Sequence, residues 1–339
     1  MKRTRSVTIF LLIVLMAGCS RLTPTASTPS ENTKLTTITV GIMQIPETAT
    51  LQVAMDGGYF TREGLSVKTR VVQGGGPALP LLYDDTLQFA IMNYVTGVQE
   101  EAETPGKLKF ATDAYQAGPN TFQLMVAKNS SISTPADLRG QKIGVATLNS
   151  ISTLTTEVVL AIHGLTKHDV QWAIVPIPEM IKALDEKKIA AAWMTEPFIT
   201  DYGRKGGRLL YDVMTGPLDR FPIAGWATSG EYAKNHLKEV AAFQRAMQRA
   251  QVEVALDRGL VSSALPKYTR IPPEAATIIT LGEFPTSLHP NRISRVVDQM
   301  LEMKYLKDRV NVASMLLPLP SPAPAALSST TQHRQGLAS

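Results

Sequence analysis

The interior of the chain alternates short apolar runs with segments whose apolar residues recur every three or four positions. This alternation of strand-like and helix-like patterns predicts mixed, mostly parallel sheets that helices cover on both faces, which is an α/β architecture. The runs with the length and composition of strands are residues 37–42, 65–72, 88–92, 108–112, 122–127, 142–146, 171–175, 189–194 and 208–213.

The last third of the chain has a different pattern. Residues 231–258 form a long helical pattern, and residues 272–281 and 291–306 are also predicted to be helices. About 280 residues lie between the polar amino-terminal segment and the carboxyl-terminal tail, which is enough for a core shared by two lobes.

The amino-terminal end has the pattern of a secretory signal peptide. Basic residues precede an apolar run from Val7 to Gly18, which is shorter than the about 20 residues of a membrane-spanning helix. Cys19 is the only cysteine of the chain and directly follows small residues, so this stretch resembles the bacterial lipobox, with Met16 as a departure from its usual pattern. We therefore predict a signal peptide over 1–18 and a lipid on Cys19. The alternative is an ordinary signal peptide followed by a free cysteine.

Composition predicts unfolded segments at both ends of the folded region. Residues 19–35 are rich in Ser, Thr and Pro and are expected to form a flexible tether, and residues 316–339 are expected to form a disordered tail. Removal of the signal peptide lowers the formal charge from +5 to +2, because three basic residues leave with it. No dense basic run remains, so we expect no nucleic-acid partner. A single cysteine excludes an internal disulfide.

Five segments together carry a resemblance to a known family. They are GYF at 58–60, EGL at 63–65, GGG at 74–76, STPADLRGQKIGVAT at 133–147 and IAAAWMTEPF at 189–198. In this order they resemble the solute-binding proteins of ABC transporters for nitrate, sulfonates, taurine and thiamine precursors. The family's usual Asp before Ala190 is replaced in this sequence, which leaves open a surface lipoprotein that has lost ligand binding.

The resemblance implies a two-lobe clamshell, the type II periplasmic-binding-protein fold. It places residues 36–116 and 224–315 in lobe 1 and residues 117–223 in lobe 2. Such proteins close around a ligand. In open parallel sheets, ligands bind beyond the carboxyl ends of the strands, where the N–H groups of helix starts are free.

The three glycines at 74–76 follow a predicted strand, and Pro77 suits the first turn of a helix. Their bare backbone can approach a ligand. A P-loop is excluded because no Gly-Lys-Ser/Thr follows, and a dinucleotide site is excluded by the glycine spacing. The alternative is a tight turn that binds nothing.

Other strand ends supply polar and aromatic candidates. The hydroxyls after the strand at 142–146 resemble the loop that grips anions in sulfonate binders, although helix capping explains the serines equally well. Trp193 either stacks on a ring or fills the core. Glu196 either favours a neutral or cationic solute, such as a pyrimidine, or caps a helix. The predicted ligand-binding residues are Gln44, Gly75, Gly76, Asn93, Tyr94, Asn149, Ser150, Ser152, Thr153, Trp193 and Glu196.

The resemblance implies a monomeric receptor that captures a small solute outside the cytoplasm, is anchored to the membrane through Cys19, and delivers the solute to an ABC permease and its ATPase. We expect no catalytic residues, no cofactor and no metal. His163 and His168 lack further ligands at zinc spacing. The rival is an enzyme on the same fold, such as a thiamine-pyrimidine synthase or a chorismate dehydratase, but those enzymes act in the cytoplasm.

Overall fold

The computed structural model describes residues 34–320. The predicted signal peptide, Cys19 and most of the predicted tether and tail lie outside these residues. The strands of the described region are β1 (Thr36–Ile42), β2 (Leu65–Val71), β3 (Phe89–Asn93), β4 (Leu108–Gln116), β5 (Phe122–Val126), β6 (Lys142–Val145), β7 (Gln171–Ile174), β8 (Ala191–Thr195), β9 (Arg208–Asp212) and β10 (Pro222–Ser229).

Helices connect most of these strands and form the carboxyl-terminal third. They are α1 (Ala49–Asp56), α2 (Tyr59–Arg62), α3 (Gly75–Tyr83), α4 (Tyr94–Glu103), α5 (Ile151–Ile162), α6 (Met180–Asp185), α7 (Phe198–Arg204), α8 (Gly230–Asn235), α9 (Leu237–Leu256), α10 (Gly259–Tyr268), α11 (Pro273–Ala276), α12 (Pro290–Glu302) and α13 (Val312–Met315). Short 3₁₀ turns occupy Pro46–Thr48, Pro135–Leu138, Ile177–Glu179 and Gly216–Leu218.

The strands form two mixed five-stranded sheets within residues 34–320, so the α/β prediction is confirmed. In the order β2-β1-β3-β10-β4, β1 is parallel to β2 and β3, and β10 is antiparallel to β3 and β4. In the order β7-β6-β8-β5-β9, β6 is parallel to β7 and β8, and β5 is antiparallel to β8 and β9. We call the half built on the first sheet lobe 1 and the half built on the second sheet lobe 2. The predicted residue boundaries of the lobes remain a prediction.

Alternating side chains bury both faces of the second sheet. On β8, Ala191 and Trp193 belong to the large hydrophobic cluster that extends through both lobes, while Ala192 and Met194 belong to a separate cluster within lobe 2. Successive side chains of a strand point to opposite faces, so a strand that is apolar throughout needs cover on both sides. Helices supply that cover, as the alternation of patterns predicts.

The sequence missed one strand. All nine predicted strands are present, but β10 was not predicted, and it includes the predicted boundary between the lobes at residues 223 and 224. Pro222 and Gly225 give this stretch a weak strand signal. Tertiary packing explains the glycine, because a Cβ on Gly225 would lie 2.8 Å from Phe110 and 2.9 Å from the Tyr94 hydroxyl. The antiparallel strand inserted between β3 and β4 therefore follows from packing.

The carboxyl-terminal helices differ from the predicted pattern. The predicted long helix is divided at His236 into α8 and α9, and the pattern at 272–281 gives only the four residues of α11. The described chain also stays in contact with lobe 1 beyond residue 315. The amide of Leu317 donates to the Phe110 carbonyl at 2.9 Å, and the Gln244 side chain donates to the Pro318 carbonyl at 3.1 Å.

Candidate functional site at the strand ends of the two lobes

The glycine turn after β2 is tightly packed at its centre. Gly74 has a φ of 146°, which lies in the range that favours glycine, and Gly75 begins α3. A Cβ on Gly75 would lie 3.1 Å from Met92 and 3.2 Å from Thr96, whereas a Cβ on Gly76 would have no heavy atom of residues 34–320 within 4 Å. Packing therefore accounts for Gly75, and Gly76 leaves the first turn of α3 uncovered.

This turn faces lobe 2. A Cβ built on Gly74 would lie 3.5 Å from the Cγ2 atom of Thr147, which follows β6. The strand-end turns of the two lobes are therefore neighbours here. We call the region between the strand-end turns the cleft, and we define it by the segments that follow the strands: residues 43–50, 73–77 and 93–96 of lobe 1 and residues 147–153 and 195–200 of lobe 2.

In the lobe 2 turn after β6, the side-chain hydroxyls form hydrogen bonds within the turn itself. Ser150 is the N-cap of α5 in a capping box with Thr153, and its amide donates to the Thr153 hydroxyl at 3.0 Å. The Ser150 hydroxyl donates to the Thr147 carbonyl at 2.8 Å and lies 2.9 Å from the Ser152 hydroxyl. Asn149 is exposed, with a φ of 52°. The serines and Thr153 are buried and engaged in capping, so their role in ligand binding stays a prediction.

The residues after β3 are placed for capping and packing. The Asn93 side chain caps α4 by accepting from the Thr96 amide at 2.9 Å. Tyr94 is fully buried, and its ring centroid lies 4.8 Å from that of Phe110. The structure thus brings Asn93 to the cleft edge and directs the Tyr94 ring into the core of lobe 1.

Two candidate residues, one on β8 and one directly after it, are both buried and both hydrogen-bonded within the protein. Trp193 stacks on Phe122 with centroids 5.1 Å apart, and its indole N–H donates to the Thr155 hydroxyl at 3.0 Å. The Glu196 carboxylate accepts from the amide and the hydroxyl of Thr200, at 3.0 and 2.9 Å, so it caps α7. It also accepts from the Thr280 amide at 3.1 Å. Burial raises the pKa of Glu196 against the opposing effect of these donors.

The turn after β1 contains a residue that the sequence analysis missed. Gln44, a predicted ligand residue, donates through its side chain to the Tyr268 carbonyl at 2.9 Å, and the Tyr268 hydroxyl donates to the Ile45 carbonyl at 2.9 Å. Next to them, Glu47 is only 2% exposed, and burial raises its pKa to about 7. An acidic residue within a few positions of a predicted strand end was the available signal.

The phenol of Tyr115 lies close enough to an acidic residue of each lobe for both of their charges to affect it. Its phenol is fully buried at the end of β4, and the negative charges of both Glu47 and Glu196 contribute to raising its pKa. The Gly282 amide donates to its hydroxyl. The positive charge of Arg258 acts on the same phenol with the opposite sign, and the Arg258 guanidinium donates to the carbonyls of Leu281 and Gly282.

Direct hydrogen bonds join the lobes on both sides of this region. Besides the bond from Thr280 to Glu196, the Tyr305 hydroxyl donates to the α5 carboxylate of Glu157 at 2.8 Å. Near the chain crossings, Arg295 on α12 donates to the Arg220 carbonyl at 2.9 Å. The lobes are therefore held close together in this structure.

Two surface cavities lie elsewhere. One of about 310 Å³ is lined by residues of α9, Arg258 and the 282–286 segment, and one of about 500 Å³ lies at the chain crossings, where Arg220, Arg292 and Arg295 line it. Neither cavity is lined by a predicted ligand residue. Among residues 34–320, no three His, Cys, Asp or Glu side chains cluster as a metal site would require, and no helix is long and apolar enough to cross a membrane.

Comparisons with known proteins agree with this architecture. The family model described as NMT1/THI5 like matches residues 45–257, which confirms the family resemblance. No curated protein matches the chain.

Solved structures show the same fold. The chain is similar to the alkanesulfonate-binding protein SsuA from Xanthomonas axonopodis pv. citri, at 16% identity over 84% of this chain and 99% of that chain, with a TM-score of 0.69. It is similar to the periplasmic nitrate-binding protein NrtA from Synechocystis PCC 6803, at 12% identity over 84% of this chain and 86% of that chain, with a TM-score of 0.70. It is also similar to the C27S mutant of DszB in complex with biphenyl-2-sulfinic acid, at 15% identity over 83% of this chain and 96% of that chain, with a TM-score of 0.62. The two-lobe prediction is thereby confirmed.

Proposed function

Since the chain belongs to the NMT1/THI5-like family, we propose that it is an extracytoplasmic receptor that captures a small solute between its two lobes. It then delivers the solute to the permease and ATPase of an ABC importer. A lipid on Cys19 anchors it to the membrane, and it acts as a monomer without a cofactor. Its work is reversible binding coupled to closure of the lobes, with no covalent chemistry.

The observation that carries this proposal is the meeting of strand-end turns across the lobes. Gly74 of lobe 1 lies against Thr147 of lobe 2, and the Glu196 carboxylate of lobe 2 accepts from the Thr280 amide on the lobe 1 side. Ligands of open α/β sheets bind at such carboxyl ends. Lobes that meet at these turns favour a solute enclosed between them, as in the hinge-closing binding proteins.

The test is a thermal-shift screen of the purified full chain. The panel contains nitrate, bicarbonate, taurine, alkyl and aryl sulfonates, aromatic carboxylates, thiamine and its pyrimidine. A ligand at 100 times its dissociation constant stabilises the folded state by roughly 2.7 kcal/mol, which shifts the melting temperature by several degrees. X-ray scattering with and without each stabilising compound then measures lobe closure.

A pair of tryptophan substitutions locates the binding region. Thr147→Trp places a large ring opposite Gly74 and is expected to abolish the shift. Thr61→Trp, at an exposed position of α2, is the control and is expected to retain it. Equal shifts in both variants would place the ligand outside the cleft. A folded protein that no compound stabilises would favour the surface lipoprotein without a ligand.

An enzyme on this fold is the rival function. DszB shows that the fold also supports an enzyme. Incubation of each stabilising compound with the full chain, followed by mass spectrometry, separates the two. Recovery of the unchanged compound supports the receptor, and its conversion at a rate proportional to protein concentration would replace the receptor with an enzyme.

A further inference from the structure

The Glu47 carboxyl group is a buried acidic group at the cleft with an oxygen that the described chain leaves unpaired. Its Oε2 atom has no hydrogen-bond partner within residues 34–320, although the residue is 98% buried. The Thr50 hydroxyl, at the start of α1, is likewise buried and unpaired in the described chain. A buried carboxyl oxygen without a donor is costly, so its presence in a folded protein calls for an explanation.

The side chains around Glu47 offer it little. The nearby phenols are those of Tyr115 and Tyr268. Burial, and after it the Glu47 charge, raises the pKa of both, so both stay neutral. The Tyr268 hydroxyl donates its hydrogen bond to the Ile45 carbonyl and not to Glu47. The guanidinium whose charge reaches Tyr115 is that of Arg258, and it is engaged with main-chain carbonyls. A cation that pairs with the ionised Glu47 carboxylate would therefore have to come from outside the described chain.

Glu196 provides the contrast within the same region. It is as deeply buried as Glu47, yet its oxygens accept three hydrogen bonds from Thr200 and Thr280. Its carboxylate is therefore satisfied by the protein and has a structural task in capping α7 and tying the lobes together. The vacant acceptor capacity lies with Glu47 in lobe 1.

We propose that Glu47 recognises the solute, and that the solute presents a planar cationic N–H donor of the amidinium or guanidinium type. This inference rests on the proposed receptor function and names its solute class. A carboxylate removed from water favours an opposite charge with matching donors, and a forked N–H cation supplies both. An ionised Glu47 would repel an oxyanion, so we expect sulfonates and nitrate to bind this cleft more weakly than the cation at pH 8.

Two pairs of probes of matched shape and opposite charge test the proposal. Guanidinium and nitrate are both small planar trigonal ions, and benzamidinium and benzoate differ chiefly in whether the planar group donates or accepts. Isothermal titration calorimetry of the full chain at pH 8 measures the affinity for each of the four. We expect both cations to bind, at least tenfold more tightly than their anionic counterparts.

Variants of Glu47 assign that preference to the carboxylate. Glu47→Gln is expected to weaken benzamidinium binding at least tenfold and to abolish the charge preference. Glu47→Asp keeps the charge on a shorter side chain and is expected to keep the preference at reduced affinity. Glu231→Gln, at an exposed position of α8, is the control and is expected to behave as wild type. Circular dichroism melting shows that each variant is folded.

The remaining outcomes overturn the proposal in distinguishable ways. Binding of benzoate or nitrate but of neither cation would refute the solute class and leave the receptor function intact. Cation binding that Glu47→Gln leaves unchanged would refute the role of Glu47. Wild-type protein that binds none of the four probes would refute the solute class, and if the wider solute panel also gave no stabilisation, the receptor function would fail with it.

Discussion

The turns of lobe 1 and the turns of lobe 2 border the same cleft but treat their polar groups differently. In lobe 2, the Ser150 and Thr153 side chains cap α5, and Glu196 accepts three hydrogen bonds. In lobe 1, the Oε2 atom of Glu47 has no partner in the described chain, and Gly76 leaves backbone uncovered. Unused hydrogen-bonding capacity at the cleft is therefore concentrated in lobe 1.

The largest expected effect is a pH dependence of stability that arises from the unpaired Glu47 carboxyl group in lobe 1. The pKa of Glu47 is about 7 in the folded protein and 4.5 in the ordinary case, so the folded state binds this proton more tightly. The proton on Glu47 therefore stabilises the folded state fully below pH 4.5. This stabilisation, roughly 3 kcal/mol in the free energy of unfolding, is lost as the pH rises through about 7. Glu47→Gln should remove this slope and make the variant more stable than wild type at pH 8.

Urea unfolding at pH 5 and pH 8 measures the slope for both proteins. The raised pKa values of Glu157 and Glu196 give slopes of the same sign, but these persist in the variant and cancel in the difference. A variant less stable than wild type at pH 8 would show that Glu47 already has a partner, and the contrast between the lobes would disappear.

The second prediction concerns Glu196 in lobe 2, whose carboxylate accepts three hydrogen bonds. Glu196→Ala removes the acceptor of three hydrogen bonds and leaves the amides of Thr200 and Thr280 to find other acceptors, so we expect a loss of about 2 kcal/mol. Glu196→Gln keeps one oxygen acceptor and should lose about half as much. Urea denaturation gives both values. If Glu196→Ala were as stable as wild type, the carboxylate would not be structural.

The glycine turn offers a matched pair of smaller effect. Gly75→Ala places a methyl group 3.1 Å from Met92 and should cost about 1.5 kcal/mol through overpacking. Gly76→Ala meets open space and should be neutral or stabilising by about 0.5 kcal/mol, because the unfolded chain loses freedom. Melting curves compare the two directly. Equal destabilisation would contradict the assignment of Gly76 as uncovered backbone.

The smallest prediction concerns the cap of α5. Ser150→Ala removes the side-chain half of the capping box and should cost about 1 kcal/mol. Ser133→Ala, whose exposed hydroxyl makes only a 3.5 Å contact with the Ser131 carbonyl, is the control and should change stability by less than about 0.5 kcal/mol. A loss of solute affinity in Ser150→Ala without a loss of stability would move Ser150 from capping to binding.

Much of the fold was predictable because local patterns determine it. The strands are short apolar runs, and the α5 helix begins at the serine that the pattern offered as a cap. The strand β10 was not predicted because Gly225 weakens the local strand pattern. The presence of this glycine is explained only by the neighbouring rings of Phe110 and Tyr94. Those rings belong to segments more than a hundred residues away in the chain.

The candidate site was predictable only in part. The sequence located the strand ends, and therefore Gln44, the glycine turn and the loop before α5, because parallel strands align their carboxyl ends. It could not rank the two acids of the cleft. Glu196 stood in a family motif and drew attention, while Glu47 had no motif and was missed.

The sequence by itself determined the alternation of strands and helices, the family and the turns that border the cleft, since each of these is written in short stretches of neighbouring residues. Only the tertiary structure decided which acid is satisfied. Part of the difference is the Thr280 amide, which reaches Glu196 from 84 residues away in the chain. Burial and hydrogen-bond supply depend on such distant segments, and the same glutamate side chain is therefore a structural cap in one turn and an open acceptor in the other.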